Sequence, residues 1–208
     1  MAVAVTVRDI EVRASGEGLR AAFERLYEDL RQGRAGGDDR RRQAVRDILR
    51  NGRYRPSGRS KPAQEYLSRV WSTQGAVDLI NNAVDVNNLF SLRNGLPVSA
   101  FDLGAIRGDL TIRLGREDES FVFNAAGQVL DCHDLLVVCD DRGPIGSPVK
   151  DSQDTKLFPG ATSVVYVVYT SRQVMTEREL LDASTELGDL MLVDCATASV
   201  EPPLLFMR

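Results

Sequence analysis

The hydrophobic pattern of this chain changes period at Pro97. Between an opening strand and that proline, apolar residues recur three and four apart, the spacing of one face of a helix. After it, they come in short β-branched runs separated by Gly, Asp and Asn, the pattern of strands. A chain that runs helices first, strands next and a helix last does not alternate strand and helix as a doubly wound sheet does. The expected fold class is α+β, with a mixed, largely antiparallel sheet and packed helices.

Residues 3–13 alternate as a strand that bends near Asp9. Ser15 opens a helix with Glu17 in its first turn, where a carboxylate suits the helix dipole. Leu19, Phe23, Leu26, Tyr27 and Leu30 form its apolar stripe. GRAGGDD (33–39) ends that helix and starts a second, whose stripe of Val45, Ile48 and Leu49 is narrow among arginines. NGRYRPSGRSKP (51–62) reads as a loop. PAQEYLSRVW forms a third helix, with Tyr66, Leu67, Val70 and Trp71 packing on one side. Residues 76–92 read as helical with a break near Asp85. AFDLGAI, LTIRLG, SFVFNA, DLLVVCDD and SVVYVVYT are strands. A final helix spans about 176–191, and Thr176 with Glu179 matches a capping box. At 208 residues the expectation is one domain over 1–208, divided into 1–60, a core at 61–175, and a C-terminal helix and tail at 176–208.

Charge is unevenly placed. Residues 31–73 hold 12 Lys and Arg against 4 Asp and Glu, although the whole chain carries a formal net charge of -4. Such a segment is either a solvated helical face or a phosphate-binding face. No run of about 18 apolar residues suggests a membrane span. The start, MAVAVTVRDIEVRA, reads as a strand rather than a signal peptide, so a cytoplasmic protein is expected.

The usual catalytic signatures are missing. There is no phosphate-binding glycine loop, no H-E-x-x-H and no G-x-S-x-G. Cys132, Cys139 and Cys195, with the single histidine His133, do not have metal-ligand spacing. Cys132 and His133 are neighbours in an extended stretch, so their side chains point apart. No cofactor and no metal are expected.

The stretch DVNNLFSLRNGLPVSAFD (85–102) resembles the signature of the editing domain of the phenylalanyl-tRNA synthetase beta subunit, the B-three/B-four domain. The family segment runs roughly D-V-T-N-Y-x-x-L-E-x-G-x-P-x-H-A-F-D. Asp85, Val86, Asn88, Leu92, Gly95, Pro97, Ala100, Phe101 and Asp102 match it without a gap. GDLTIRLG, DLLVVCDD, a Gly-Pro-rich loop and an apolar strand follow in the family's order, so the resemblance covers about residues 60–170. It implies a trans-acting aminoacyl-tRNA deacylase without a cofactor, with aminoacyl-tRNA as partner. Position by position, the family's asparagine falls on Asn88 and its threonine on Asn87. Its histidine falls on Ser99, its glycine-loop contact on Gly146 and its strand glutamate near Val168.

Together these give a candidate site built from uncharged polar groups. Asn88 and Ser99 are candidate catalytic groups, and Asp151 is the carboxylate that could orient water or bind an α-amino group. Asn87, Gly146, Ser147 and Ser152 are candidate substrate contacts, with main-chain amides near Gly146 and Ser147 available to an oxyanion. Arg53, Arg55, Arg59 and Lys61 are candidate tRNA-phosphate contacts. Asp102 either serves the site or caps a turn. Two other readings stay open: a non-catalytic module that binds aminoacyl-tRNA or an amino acid, and an enzyme acting on an amino-acid-derived metabolite.

Overall fold

The computed structural model describes residues 1–207. Its elements run β1 (Ala2–Arg8), α1 (Glu17–Arg31), α2 (Asp39–Ile48), α3 (Ala63–Gln74) and α4 (Asn82–Asn94). They continue with β2 (Val98–Asp102), β3 (Thr111–Leu114), β4 (Ser120–Val122), β5 (Val129–Asp131), β6 (Leu136–Asp140) and β7 (Gly143–Gly146). The chain closes with β8 (Ser163–Tyr169), α5 (Glu177–Asp194), β9 (Ser199–Val200) and β10 (Leu204–Phe206). The class is α+β, and every strand-to-strand pairing between these elements is antiparallel.

The main sheet has the order β10-β1-β8-β2, with β9 also paired to β1. β8 is its centre, which explains the sequence SVVYVVY: a strand covered on both faces needs apolar residues at nearly every position. Val164, Tyr166 and Val168 face the helices together with Val3, Val5 and Val7. Val165, Val167 and Tyr169 face the other way, onto Phe101, Val138 and Ile145. The sheet therefore lies between α1, α4 and α5 on one side and the smaller β3-β6-β7 sheet on the other.

Local chemistry sets the boundaries. β1 ends at Asp9, whose φ of 58° turns the chain where a bend was expected. Thr176 and Glu179 form the capping box of α5. The first helix begins at Glu17, with Gly16 rather than Ser15 at its N-cap, and the Ser15 hydroxyl donates instead to Asp85 Oδ2 at 2.5 Å. Asp85 does not break α4; it sits in the first turn. Residues 76–81 lie outside the helix, and Asn81 caps it by accepting the Val84 N–H at 2.9 Å. Ile80 N–H also donates to Asp85 Oδ1 at 2.9 Å, so both carboxylate oxygens are partnered. Burial raises the Asp85 pKa and these two bonds oppose the shift. Tyr166 Oη donates to Ala83 O at 2.9 Å and ties the same turn to β8.

Candidate functional site

The site grows from the free edge of β2. Tyr169 N–H bonds to Pro97 O, so Ser99 and Phe101 occupy the hydrogen-bonded pairs with β8 and the N–H of Ala100 points off the sheet. Asp151 meets that N–H, accepting it on Oδ2 at 3.2 Å. Asp151 is carried there by the turn after β7, through an isolated bridge to Gly146. Its other oxygen, Oδ1, is buried and has no hydrogen-bond partner among the described residues. Burial pushes the Asp151 pKa up to about 7, against the opposing pull of Ser99, the Ala100 N–H and the charge of Lys156.

Asp151 lines a cavity of about 500 Å³ between the start of α4, the β2 edge and the loop 151–159. Asn87 and Ala100 share its wall, and Asn81, Lys156 and Phe158 come from the flanking segments. Asn87 resembles Asp151 in one respect: its Oδ1 is also buried without a partner, while its Nδ2 reaches Asn88 Oδ1 at 3.4 Å. Ile80 and Phe158 are exposed apolar groups at the rim. Asn81 Nδ2 donates to Leu157 O at 3.3 Å and holds the loop against the helix. Lys156 Nζ donates to Phe123 O at 2.6 Å, which fixes a positive charge on the same wall.

The other candidate residues fall around this cavity rather than in it. Ser99 is fully buried; its Oγ lies 2.9 Å from Tyr169 Oη and 3.3 Å from Ser147 O. It faces the Asp151 carboxyl closely enough to favour the charged form, but its bonds go to Tyr169 and Ser147. Gly146 packs directly on the site: a Cβ there would lie 2.5 Å from the Phe101 ring and 2.6 Å from Asp151 Oδ1. Ser147 N–H donates to Lys150 O at 2.9 Å within its own turn and lies close enough to the Asp151 carboxyl to favour its charged form. Its Oγ accepts from the N–H of Val149 and Lys150, both at 3.2 Å. Ser152 caps a short 3-10 turn and lines a different cavity with Ile145 and Asp154. Asp102 likewise caps a 3-10 turn, through the Gly104 N–H at 2.9 Å. Val168 is sealed in the helix-facing core.

The basic loop stands apart. Arg53 and Arg55 line a cavity with Tyr54, Asp131 and His133. Arg53 pairs with Asp131 at 2.7 Å, and Arg55 bonds to the carbonyls of Gly52 and Tyr54. Arg59 lies on an exposed 3-10 turn and Lys61 follows it half-buried. Arg13, Asn81, Lys156 and Phe158 are cavity residues that sequence reading did not select. They come from segments up to about 145 positions apart and share no local pattern.

Cys132 and Cys139 take no part. Burial pushes Cys132 up to about 12 and Cys139 up to about 11, so neither offers a thiolate near neutral pH. Among the described residues, no group of three or more His, Cys, Asp or Glu is placed to hold a metal ion. No described helix is long and apolar enough to cross a membrane.

Comparison with known proteins bears on the same segment. The phenylalanine–tRNA ligase beta subunit of Aquifex aeolicus is 35% identical over 78 residues, which is 37% of this chain and 10% of that protein. That of Streptococcus pneumoniae is 31% identical over 106 residues, 50% of this chain and 13% of that protein. That of Nitrosospira multiformis is 42% identical over 71 residues, 32% of this chain and 9% of that protein. The chain thus corresponds to about a tenth of the length of these relatives. Among solved structures, an N-terminal fragment of the phenylalanyl-tRNA synthetase beta subunit from Pyrococcus horikoshii aligns over 96% of this chain and 46% of that chain. Its TM-score is 0.48 at 8% identity. The B3/4 domain profile matches residues 55–187, well over half the chain, and spans α3, α4, the β2 edge and Asp151. The chain belongs to the B3/4 domain family.

Proposed function

We propose that this protein is a trans-acting aminoacyl-tRNA deacylase, hydrolysing the ester between an amino acid and tRNA with a positioned water. The observation that carries this reading is Asp151: a carboxyl group fixed by one hydrogen bond, with its second oxygen unpartnered, on the wall of a cavity shared with Asn87. A carboxylate whose pKa is raised to about 7 can accept a proton from water at neutral pH and still be ionised in a useful fraction of molecules. An aminoacyl ester is already activated, so a positioned base that contributes roughly 10²–10⁴ in rate supplies a useful acceleration without a covalent nucleophile.

In the proposed reaction, water held by Asp151 attacks the ester carbonyl. A proton of the water passes to the carboxylate, the bond between the carbonyl carbon and the ribose oxygen breaks, and that oxygen takes the proton back from Asp151, so the free amino acid and tRNA leave and the carboxylate is restored. Asn87 Oδ1 accepts from the substrate's α-ammonium group. The developing negative charge on the carbonyl oxygen lies within the field of Lys156. Family membership and the relatives' names supply the aminoacyl-tRNA part of this reading.

A non-catalytic binding role has one specific observation in its favour. Ser99 occupies the position where the related signature has histidine, and its hydroxyl is committed to Tyr169 and Ser147. Measuring hydrolysis of a panel of mischarged tRNAs separates the two roles. The deacylase turns over at least one of them, whereas a binding module retains aminoacyl-tRNA without turnover.

A further inference from the structure

A second cavity, of about 510 Å³, lies where α2, α3 and the end of α4 meet, away from Asp151. Its wall holds Gln64, which is only 3% exposed and finds no partner for either end of its amide among the described residues. Trp71, two turns further along α3, also lines this cavity, and its indole N–H is likewise buried without a partner. Buried polar groups are nearly always hydrogen-bonded, so three orphaned atoms beside one cavity indicate something that completes them.

The charges around them define what that is. Arg42, Arg46, Arg69 and Glu65 line the same space. Arg46 is spent on Glu65 through a two-pronged ion pair. Among the described residues Arg42 pairs only with the exposed Asp39, at 2.8 Å, and Arg69 is an exposed guanidinium on the cavity wall. The remaining field is positive and rich in N–H donors. The Gln64 carbonyl adds one acceptor, which asks for a donor on the ligand beside its negative group.

The floor is rigid. A Cβ on Gly95 would lie 2.3 Å from Gly37 Cα, so the two loops touch backbone to backbone. Gly36 N–H donates to Arg93 O at 2.8 Å and fixes them together. The terminal torsion of a glutamine is soft, so Gln64 can turn its amide toward an occupant without moving the helix.

We propose that this cavity binds a phosphate ester that carries an adjacent hydroxyl or amino donor, held by Gln64, Trp71 and Arg69. A nucleotide metabolite and the terminal or backbone phosphate of an RNA share that chemistry. The proposal does not depend on hydrolysis at Asp151.

Trp71 is the single tryptophan of the chain, so its fluorescence reports this cavity alone. The test titrates the full chain with inorganic phosphate, a nucleoside 5′-monophosphate and a short single-stranded oligoribonucleotide, reading Trp71 emission. A saturable change is expected with at least one phosphate-bearing probe. Gln64→Leu weakens it about tenfold, as expected for loss of a hydrogen bond to a charged group. The same variant melts at a higher temperature without ligand, because it removes a buried unpartnered amide. Arg69→Gln, an exposed change that leaves folding intact, weakens binding and flattens its salt dependence. Stronger binding of the oligoribonucleotide than of the monophosphate assigns the phosphate to RNA; the reverse assigns it to a metabolite. The proposal is overturned if none of the three probes changes Trp71 emission. It is equally overturned if the response is unchanged in both Gln64→Leu and Arg69→Gln.

Discussion

Ala100 donates its main-chain N–H to Asp151 Oδ2 at 3.2 Å, across 51 positions of sequence. That bond joins the open edge of β2 to the loop after β7, and it fixes one oxygen of the carboxylate. The other oxygen is left buried and free to bond. Burial raises the pKa of this carboxyl group, while the bond to Ala100 opposes the shift and fixes the group on the cavity wall.

Asp151 makes stability depend on pH. Its pKa is raised to about 7 in the folded chain, from an ordinary value of 3.8, so between those limits the folded state binds the proton and the unfolded state releases it. The contribution of Asp151 to stability is therefore greatest below about pH 4, falls as pH rises toward 7, and is level above. Asp151→Asn removes that slope. The variant is expected to match the parent near pH 4 and to exceed it by about 2–4 kcal/mol at pH 8. Urea unfolding of both proteins at pH 4, 6 and 8 measures the difference.

Ser99→Ala separates support from catalysis. The serine hydroxyl and Tyr169 Oη are both sealed in the sheet interface, and Tyr169 loses this bond when Ser99 is truncated. Burial already holds the Tyr169 phenol well above its usual pKa, so the group stays neutral and in need of a partner. A loss of about 1–2 kcal/mol in thermal or urea unfolding is expected, with turnover little changed. A collapse of turnover at undiminished stability would instead make Ser99 a reacting group.

Gly146 leaves no room for a methyl group. Its Cβ position is filled by the Phe101 ring at 2.5 Å and Asp151 Oδ1 at 2.6 Å. Gly146→Ala is expected to cost about 1–3 kcal/mol by overpacking and to displace the carboxylate. A melting curve together with the pH profile of hydrolysis tests both effects.

The two asparagines are expected to differ. Asn87 lines the cavity with an unpartnered oxygen, and Asn88 supports it from behind through a 3.4 Å bond. Asn87→Ala should lower kcat/KM about tenfold, the worth of a hydrogen bond to a charged group. Asn88→Ala should lower it less. Steady-state kinetics on the same aminoacyl-tRNA compares them, and a larger loss at Asn88 would contradict the placement of the ammonium subsite.

The sequence pattern carried the elements whose cause is local. Thr176 and Glu179 specify the cap of α5 within one turn, and the apolar run 163–169 requires a doubly covered strand. Where a distant residue decides the outcome, local reading failed. Asp85 looks like a helix breaker until Ser15, 70 positions away, bonds its carboxylate. β9 and β10 form because β1 offers them an edge, and their own residues carry little strand signal. In the site, Asn87 was legible as a polar group in an otherwise apolar run and Asp151 as a carboxylate in the polar loop KDSQDT, whereas Lys156 and Phe158 acquire their place only from the loop's path over α4. Arg53 shows what sequence leaves out: its partner Asp131 lies 78 positions on, and the two meet in an exposed ion pair.

The most direct measurement is the pH dependence of deacylation over a panel of mischarged tRNAs, comparing the parent chain with Asp151→Asn. With the carboxylate as base, at least one substrate is hydrolysed above the buffer rate. Its kcat/KM rises as the pH passes through about 7, and Asp151→Asn loses about 10²–10⁴ of that rate while still binding the substrate. Hydrolysis no faster than buffer across the panel, or an Asp151→Asn variant as active as the parent, would contradict the account.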